Sequence, residues 1–410
     1  MVERSETANQ VLVRKLNTSL VLHCLRTRGP LSRASLSAAI GLNRSTVSSL
    51  INGLLDENLV REIGLQASER GRPGMLLELN PAGGCAVGIE IGVDFLSITL
   101  TDFVAQPMWC QRIVSDPMDG QDVILERAEG MVQEALDRGM SQNLRPLGIG
   151  LGVPGLVDTR QGSLVFAPNL GWNDVPLRPM WTSRFDLPVF VENEANAAAL
   201  GEYYFGVAQD VENLIYLSAG IGLGGGIIVN GSLFRGSSGY AGEVGHMTVD
   251  PNGELCGCGK RGCWETLVGP RAIVRRVRRA IESDGEPSQV SSLVRGELSE
   301  IDMDIVVRAA RAGDKVARTA LEEVGVQLGI GIANLINAFN PELVVLGGAL
   351  SLGSELLLPV IKEIIRDHAL VQPHGNVQVV CSAHGTGACI MGGIALVLDN
   401  VLREPQRHAL

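Results

Sequence analysis

At 410 residues the chain is too long for one ordinary core, so two or three domains are expected. Its 34 basic and 45 acidic side chains leave a net charge of -11, and a uniformly acidic protein of this kind would bind nucleic acid poorly. No charged-then-apolar leader opens the chain and no run nears the ~18 apolar residues of a membrane span, which predicts a soluble cytoplasmic protein.

The charge is uneven. Residues 1–80 hold 10 basic and 7 acidic side chains, which leaves the remainder at -14. This asymmetry hints at a head that faces nucleic acid on an acidic body. The first apolar pattern, over residues 14–28, places Leu20, Val21, Cys24 and Leu25 on one helical face, and Gly29-Pro30 stops it. Ser32 is suited to cap a short second helix that ends near Ile40, and Gly41 permits the tight turn after it. Asn43 can cap a third helix, where Val47, Leu50, Ile51, Leu54 and Leu55 follow one buried stripe. Its other face carries Arg44, Ser45, Ser48, Ser49 and Asn52, with Thr46 near the start. Short hydroxyl side chains and a leading Arg let a helix enter a major groove and bond phosphates and base edges.

Leu59–Ile63 and Met75–Leu79 read as paired strands, joined by a loop that ends Arg70-Gly71-Arg72-Pro73-Gly74. An Arg stiffened by Gly and Pro at a hairpin tip suits a wing that reaches a minor groove. Residues 1–80 are therefore predicted to be a winged helix-turn-helix domain that binds double-stranded operator DNA. The expected contacts are Ser32, Arg33, Asn43, Arg44, Ser45, Thr46, Ser48, Ser49, Arg70 and Arg72.

The chain as a whole is 45% apolar and rich in Gly, as α/β folds with tight turns are. Cys85–Val93, Phe95–Asp102 and Leu147–Val153 read as strands, and residues 121–138 as an amphipathic helix. A second set has strands at Leu214–Leu217, Gly226–Val229 and Leu343–Leu346 and a helix near 318–338. The two sets suggest a duplicated, two-lobed fold with a cleft, although no repeat is visible in the residues themselves. The run from Gly220 to Gly226 sits between two of these strands and lacks the Lys-Ser/Thr of a P-loop. It could cradle an anion or form a structural turn. Residues 281–302 read as a surface excursion without assignable chemistry.

Eight cysteines in such a compartment are expected as thiols or metal ligands. His246, Cys256, Cys258 and Cys263 fall within 18 residues, with Gly257, Gly259 and Gly262 letting the loop fold back. Four N/S donors suit tetrahedral zinc in a closed structural site, with redox chemistry as the alternative. Glu243 and Glu265 flank the loop and could accept hydrogen bonds from sugar hydroxyls, or be ordinary surface acids.

Several segments together resemble the ROK family of repressors, open reading frames and sugar kinases. They are Gly152-Val153-Pro154-Gly155, Pro168 to Trp172, Glu192-Asn193-Glu194-Ala195-Asn196, the Gly-rich run, Gly242 to His246, and the Cys loop ending in Glu265. With the N-terminal head, the chain resembles the repressor branch, of the xylose-operon type. The resemblance implies an α/β protein: a winged helix-turn-helix domain followed by a two-lobed actin-like ATPase (sugar kinase) fold with a zinc-braced loop. The first lobe would take residues 85–200, completed by a C-terminal helix over 385–410, and the second residues 201–384.

Carried over by position, Asn169, Asn193, Glu194, Glu243, His246 and Glu265 would bind a sugar, and His246, Cys256, Cys258 and Cys263 would hold Zn2+. Family kinases have Asp followed by a Gly-Gly/Thr-Thr phosphate grip in the first strand, an Asp base, and Gly-Thr-Gly in the second phosphate loop. Here these are Glu90-Ile91-Gly92-Val93-Asp94, Glu194 and Ser218-Ala219-Gly220. A carboxylate base moved by ~1 Å can lose about 100-fold in rate, so no catalytic residue is expected. The expected function is a sugar-responsive transcriptional repressor, a homodimer or tetramer released from its operator by a sugar such as xylose or glucose. An active sugar kinase with a fused DNA-binding head is the alternative, and a phosphosugar is a further candidate effector.

Overall fold

The structure, a computed structural model, describes residues 10–65, 74–370 and 377–404. Three helices and a small sheet open the chain: α1 (Gln10–Arg28), β1 (Leu31–Ser32), α2 (Arg33–Ile40), α3 (Arg44–Asp56), β2 (Val60–Leu65) and β3 (Met75–Leu79). Local chemistry sets the boundaries. Ser32 Oγ accepts the Ser35 N–H at 3.2 Å and Asn43 Oδ1 the Thr46 N–H at 2.8 Å, and each such cap stabilises its helix by about 1 kcal/mol. Gly41 ends α2 at φ +72°, a backbone state that a Cβ would strain.

The buried stripe of α3 is Val47, Leu50, Ile51 and Leu54, as the spacing predicts, with Leu55 half-buried at its edge. In α1 the stripe centres on Val21, Leu22 and Leu25. Leu20 lies one residue ahead of it and is 49% exposed, so its predicted place in the core is corrected. Leu31–Ser32 adds a short strand beside β3, giving the order β1-β3-β2. Two residues between a helix stop and a helix cap are too few to show a strand period.

The body holds two five-stranded sheets. The first is built from β4 (Cys85–Ile91), β5 (Phe95–Asp102), β6 (Pro107–Val114), α4 (Gln121–Ser141) and β7 (Pro146–Val153). A three-stranded flap follows, β8 (Leu156–Asp158), β9 (Ser163–Ala167) and β10 (Trp172–Val175), then α5 (Leu177–Phe185), β11 (Val189–Asn193) and α6 (Glu194–Phe205). The second sheet uses β12 (Leu214–Ala219), β13 (Leu223–Val229) and β14 (Ser232–Leu233). A run of helices comes next: α7 (Glu265–Val268), α8 (Pro270–Glu282), α9 (Gln289–Leu293), α10 (Met303–Arg311) and α11 (Lys315–Phe339). β15 (Leu343–Gly348), α12 (Ser354–His368), β16 (Gln378–Cys381) and α13 (Ala388–Arg403) complete it.

The orders β11-β7-β4-β5-β6 and β14-β13-β12-β15-β16 describe one topology: an antiparallel three-strand meander whose first strand pairs in parallel with a fourth strand, which pairs in parallel with a fifth. The duplication expected from the element pattern is therefore present in topology. Each half ends in a helix that packs against the other half's sheet. α6 lies on β12 and β13, α13 lies on β4 and β7, and α6 and α13 pack on each other.

The Gly-rich run differs from the expectation. β12 extends to Ala219 and β13 begins at Leu223, so Gly224, Gly225 and Gly226 are strand residues and only Gly220 to Gly222 turn. They are small because a Cβ on Gly224 or Gly226 would run into Ala195 of α6. Residues 281–302 are also better anchored than expected, since Val290, Val294 and Ile301 enter the second sheet's core. The segment 385–403 has the length and apolarity of a membrane span, against the reading that no run nears one, but it is a core helix buried between the sheets.

Head and body share apolar packing. Val21, Leu22 and Leu25 belong to one continuous cluster with Ile394, Val397, Leu398 and Val401 of α13.

Candidate ligand cleft, metal centre and nucleic-acid face

The N-terminus of α6 lies at the centre of the predicted sugar site. Asn193 caps it, its Oδ1 accepting the N–H groups of Ala195 and Asn196 at 2.9 and 3.2 Å. Its Nδ2 donates to Gly155 O at 3.0 Å and to Glu194 Oε2 at 3.1 Å. The Glu194 carboxyl is pushed up to about 8, first by burial and then by the nearby charges of Glu90 and Glu243. At neutral pH it is mostly protonated, which makes it a hydrogen-bond donor and a poor general base.

The start of β13 joins this helix end to the Cys loop. A Cβ on Gly224 would sit 3.9 Å from Glu194 Oε1, and the neighbouring Leu223 N–H donates to Glu265 Oε2 at 3.4 Å. Glu265, His246 and Glu243 follow in contact: His246 Nδ1 lies 3.6 Å from Glu265 Oε1, and His246 Nε2 lies 3.8 Å from Glu243 Oε2. Five of the six predicted sugar residues thus converge. Asn169 is exposed on the turn between β9 and β10 and makes no hydrogen bond to the other five; its flap reaches the site through Ala167, which packs against Gly155.

Two groups with no role assigned from sequence brace this helix end. Glu192 is 2% exposed, and its Oε2 accepts Arg235 Nη2 at 2.6 Å and Nε at 3.2 Å, which ties the segment after β14 to the end of β11. Asn196, also buried, donates to Glu192 Oε1 at 3.4 Å. Both lie in the Glu192-to-Asn196 motif, but nothing near Arg235 in the sequence marks it as their partner.

The side-chain donors of His246, Cys256, Cys258 and Cys263 all lie within 4.8 Å of one another and could hold a metal ion. Antiparallel bridges Thr248–Cys263 and Leu255–Arg261 fold the loop, and Gly262 allows its return at φ +69°, where a Cβ would strike Asp250 O. Cys258 and Cys263 sulfurs are 3.6 Å apart and Cys256 Sγ is 3.7 Å from His246 Nδ1. Tetrahedral zinc with ~2.3 Å Zn–S bonds needs ligand-to-ligand edges of about 3.8 Å, so the donor set fits. His246 turns Nδ1 to the Cys256 sulfur and Nε2 to the Glu243 carboxylate. Cys256 Sγ donates to Glu265 Oε1 at 2.7 Å, so the carboxylate predicted to meet sugar also borders the thiols.

At the kinase-like first strand, Glu90 is buried and burial raises its carboxyl to about 7. Asp94 is exposed at the β4–β5 turn. The Phe95 ring lies against Gly92 and the Arg112 guanidinium stacks 3.5 Å above that ring.

On the head, Arg44, Ser45 and Ser49 of α3 are exposed and Thr46 and Ser48 half-buried. Ser32 is buried and Asn43 is occupied in capping, so both reach outward less than expected. Arg33 Nη1 pairs with Glu62 at 2.9 Å, which offsets its charge. Arg70 and Arg72 lie outside the described residues.

The model of the ROK family matches residues 86–400. The xylose repressor of Caldicellulosiruptor bescii is 36% identical over 97% of this chain and 99% of that protein. A solved ROK family transcriptional regulator, a homolog of the E. coli MLC protein, superposes with a TM-score of 0.81 at 32% identity, covering 95% of this chain and 97% of its own. A ROK family glucokinase from Streptomyces griseus, in complex with glucose and AMPPNP, gives 0.69 at 34% identity, covering 76% of this chain and 99% of its own. Both lobes, the converging cleft residues and the Cys/His loop fall inside the matched span, and the chain belongs to the ROK family.

Proposed function

We propose that the chain is a sugar-responsive transcriptional repressor of genes for carbohydrate uptake or catabolism. One observation carries the reading. The ROK family model begins at residue 86 and the glucokinase covers 76% of this chain, whereas a repressor covers 97%, which supports a head, shared with the repressor, that bears the α3 polar face. The division proposed is a DNA-binding head over 1–80, a lobe over 85–200 closed by the last helix, and a lobe over 201–384. The head binds a palindromic operator as a homodimer, with Arg44, Ser45, Thr46, Ser48 and Ser49 toward the DNA.

A neutral sugar such as xylose or glucose binds Asn193, Glu194, Glu243, His246 and Glu265. Zinc on His246, Cys256, Cys258 and Cys263 is structural: it fixes the imidazole so that Nε2 faces the sugar. The acids at this end favour a neutral sugar over a phosphosugar. Sugar binds the DNA-incompetent state more tightly, and DNA weakens sugar binding by the same factor.

Phosphoryl transfer is not part of this reading. Glu194 is mostly protonated at neutral pH, Asp94 repels phosphate, and the Phe95 ring covers Gly92 where the backbone would need to approach it. The test is fluorescence-anisotropy binding to the upstream DNA, titrated with neutral pentoses, hexoses and their phosphates, beside an assay of sugar-dependent ADP release. A several-fold change with one neutral sugar and no ADP supports the reading. Response to a phosphosugar alone would replace the effector, and ADP release would reinstate the kinase.

A further inference from the structure

The head rests on the place where the two lobes meet. α1 packs against α13, which sits on the first sheet, and it also reaches the last turn of α6, which sits on the second. Arg26 Nη1 donates to Tyr204 O at 3.3 Å, and its guanidinium lies 4.6 Å from the centre of the Tyr204 ring. Tyr204 in turn donates its hydroxyl to Asp399 Oδ1 of α13 at 2.9 Å. Asp399 also faces His23 of the head at 3.7 Å and Arg403 at 2.6 Å. One triad, Arg26–Tyr204–Asp399, therefore touches head, second-lobe helix and first-lobe helix together.

α6 joins this triad to the cleft. Its 12 residues, Glu194–Phe205, follow the Asn193 cap and end one residue beyond Tyr204, a length of about 18 Å. Its seat on the second sheet leaves no slack, because Ala195 lies directly against Gly224 and Gly226. α13 is seated equally closely on the first sheet, Gly393 against Gly150. Between the helices the surfaces are small and smooth, Ala197 against Gly392 and Gly201 against Ala388. Side chains that do not interlock permit a shear of one helix along the other. A shift of one lobe against the other thus becomes a displacement of Tyr204 relative to Asp399, and the long side chains at that end carry it to the head. Glu202, fully buried, holds the end of α6 by accepting the N–H groups of Val207, Ala383 and His384 at 3.0, 3.2 and 3.1 Å.

We infer that the Arg26–Tyr204–Asp399 junction is the relay by which the head reads occupancy of the cleft, with α6 as the connecting rod. The inference rests on the repressor reading above. It assigns Arg26, Tyr204 and Asp399 as positioning residues for regulation, none of them in contact with sugar or DNA.

The experiment measures operator affinity with and without saturating sugar, and sugar affinity by calorimetry, for the full chain and for Tyr204→Phe and Arg26→Lys. Tyr204→Phe keeps the ring beneath Arg26 and removes only the hydroxyl that reaches α13. Both variants are expected to bind sugar alone, and DNA alone, within about threefold of the parent. The ratio between DNA affinities with and without sugar should collapse from the ~5–150-fold usual for such coupling to about twofold. If both variants keep the full ratio, the relay is elsewhere and the inference is overturned. If the parent binds sugar but sugar leaves its DNA affinity unchanged, there is no coupling to relay and the inference falls while the cleft assignment stands. If the parent binds no sugar at all, the repressor reading fails first.

Discussion

Arg235 reaches from the second lobe to place its guanidinium 2.6 Å from the carboxylate of Glu192, a side chain that is 2% exposed at the end of a first-lobe strand. The carboxylate sits one residue before the Asn193 cap and also receives the Asn193 N–H at 3.1 Å. Removing the Arg leaves a buried negative charge with amide donors alone. Arg235→Ala is expected to lower stability by about 3 kcal/mol, the lower end for a broken buried pair because the Arg is itself partly exposed. Sugar affinity should fall with it, since the cap and the Glu243 segment lose their common anchor. Urea denaturation and calorimetry check both; unchanged values for both would show that the pair is ornamental.

Glu90 and Glu194 set the pH response. Their carboxyls are raised to about 7 and about 8 in the folded chain, from about 4.5. Between those values the folded state holds protons that the unfolded chain has released, so stability falls as pH rises from about 4.5 to 8. Glu90 alone contributes a loss of about 3 kcal/mol across its window. Urea midpoints from pH 5 to pH 8.5 should fall steadily, and Glu90→Gln should flatten the slope. A midpoint that rises over this range would contradict the burial of these groups.

Purified protein is expected to carry one zinc per chain, measured by elemental analysis. Cys258→Ser should lose it. Because His246 lies between Cys256 and Glu243, metal loss should weaken sugar binding as well as lower the melting temperature. DNA binding without sugar should change little, since the loop lies in the second lobe.

Arg44→Ala should weaken operator binding about ten- to hundredfold with little effect on stability, as expected for an exposed base or phosphate contact. Asn43→Ala acts differently: it removes the α3 cap and costs about 1 kcal/mol of folding stability. Anisotropy titrations beside thermal melts separate the two cases.

What the sequence made legible was local. Ser32 and Asn43 cap helices because side chain and N–H are three residues apart, and the Cys loop announces itself because its four donors are crowded. The pairs that tie the parts together were not legible. Arg235 and Glu192 are 43 residues apart, and Arg26 and Tyr204 are 178 apart; each is an ordinary residue until the chain folds. Glycine was ambiguous for a physical reason. Gly224 and Gly226 lack a Cβ so that α6 can approach a strand, whereas the same run in isolation reads as a turn or an anion cradle. The duplicated sheets share strand order and polarity, properties that leave no trace in residue identity.

The cluster that joins Val21, Leu22 and Leu25 to Ile394, Val397, Leu398 and Val401 closes the two ends of the chain on each other. The head precedes both lobes in the sequence, and the helix that covers its apolar side follows them. Until α13 has been made that side stays open, and a chain cut short before α13 never covers it. A chain clipped before α13 therefore leaves Val21, Leu22 and Leu25 without the apolar side chains that cover them in the folded protein.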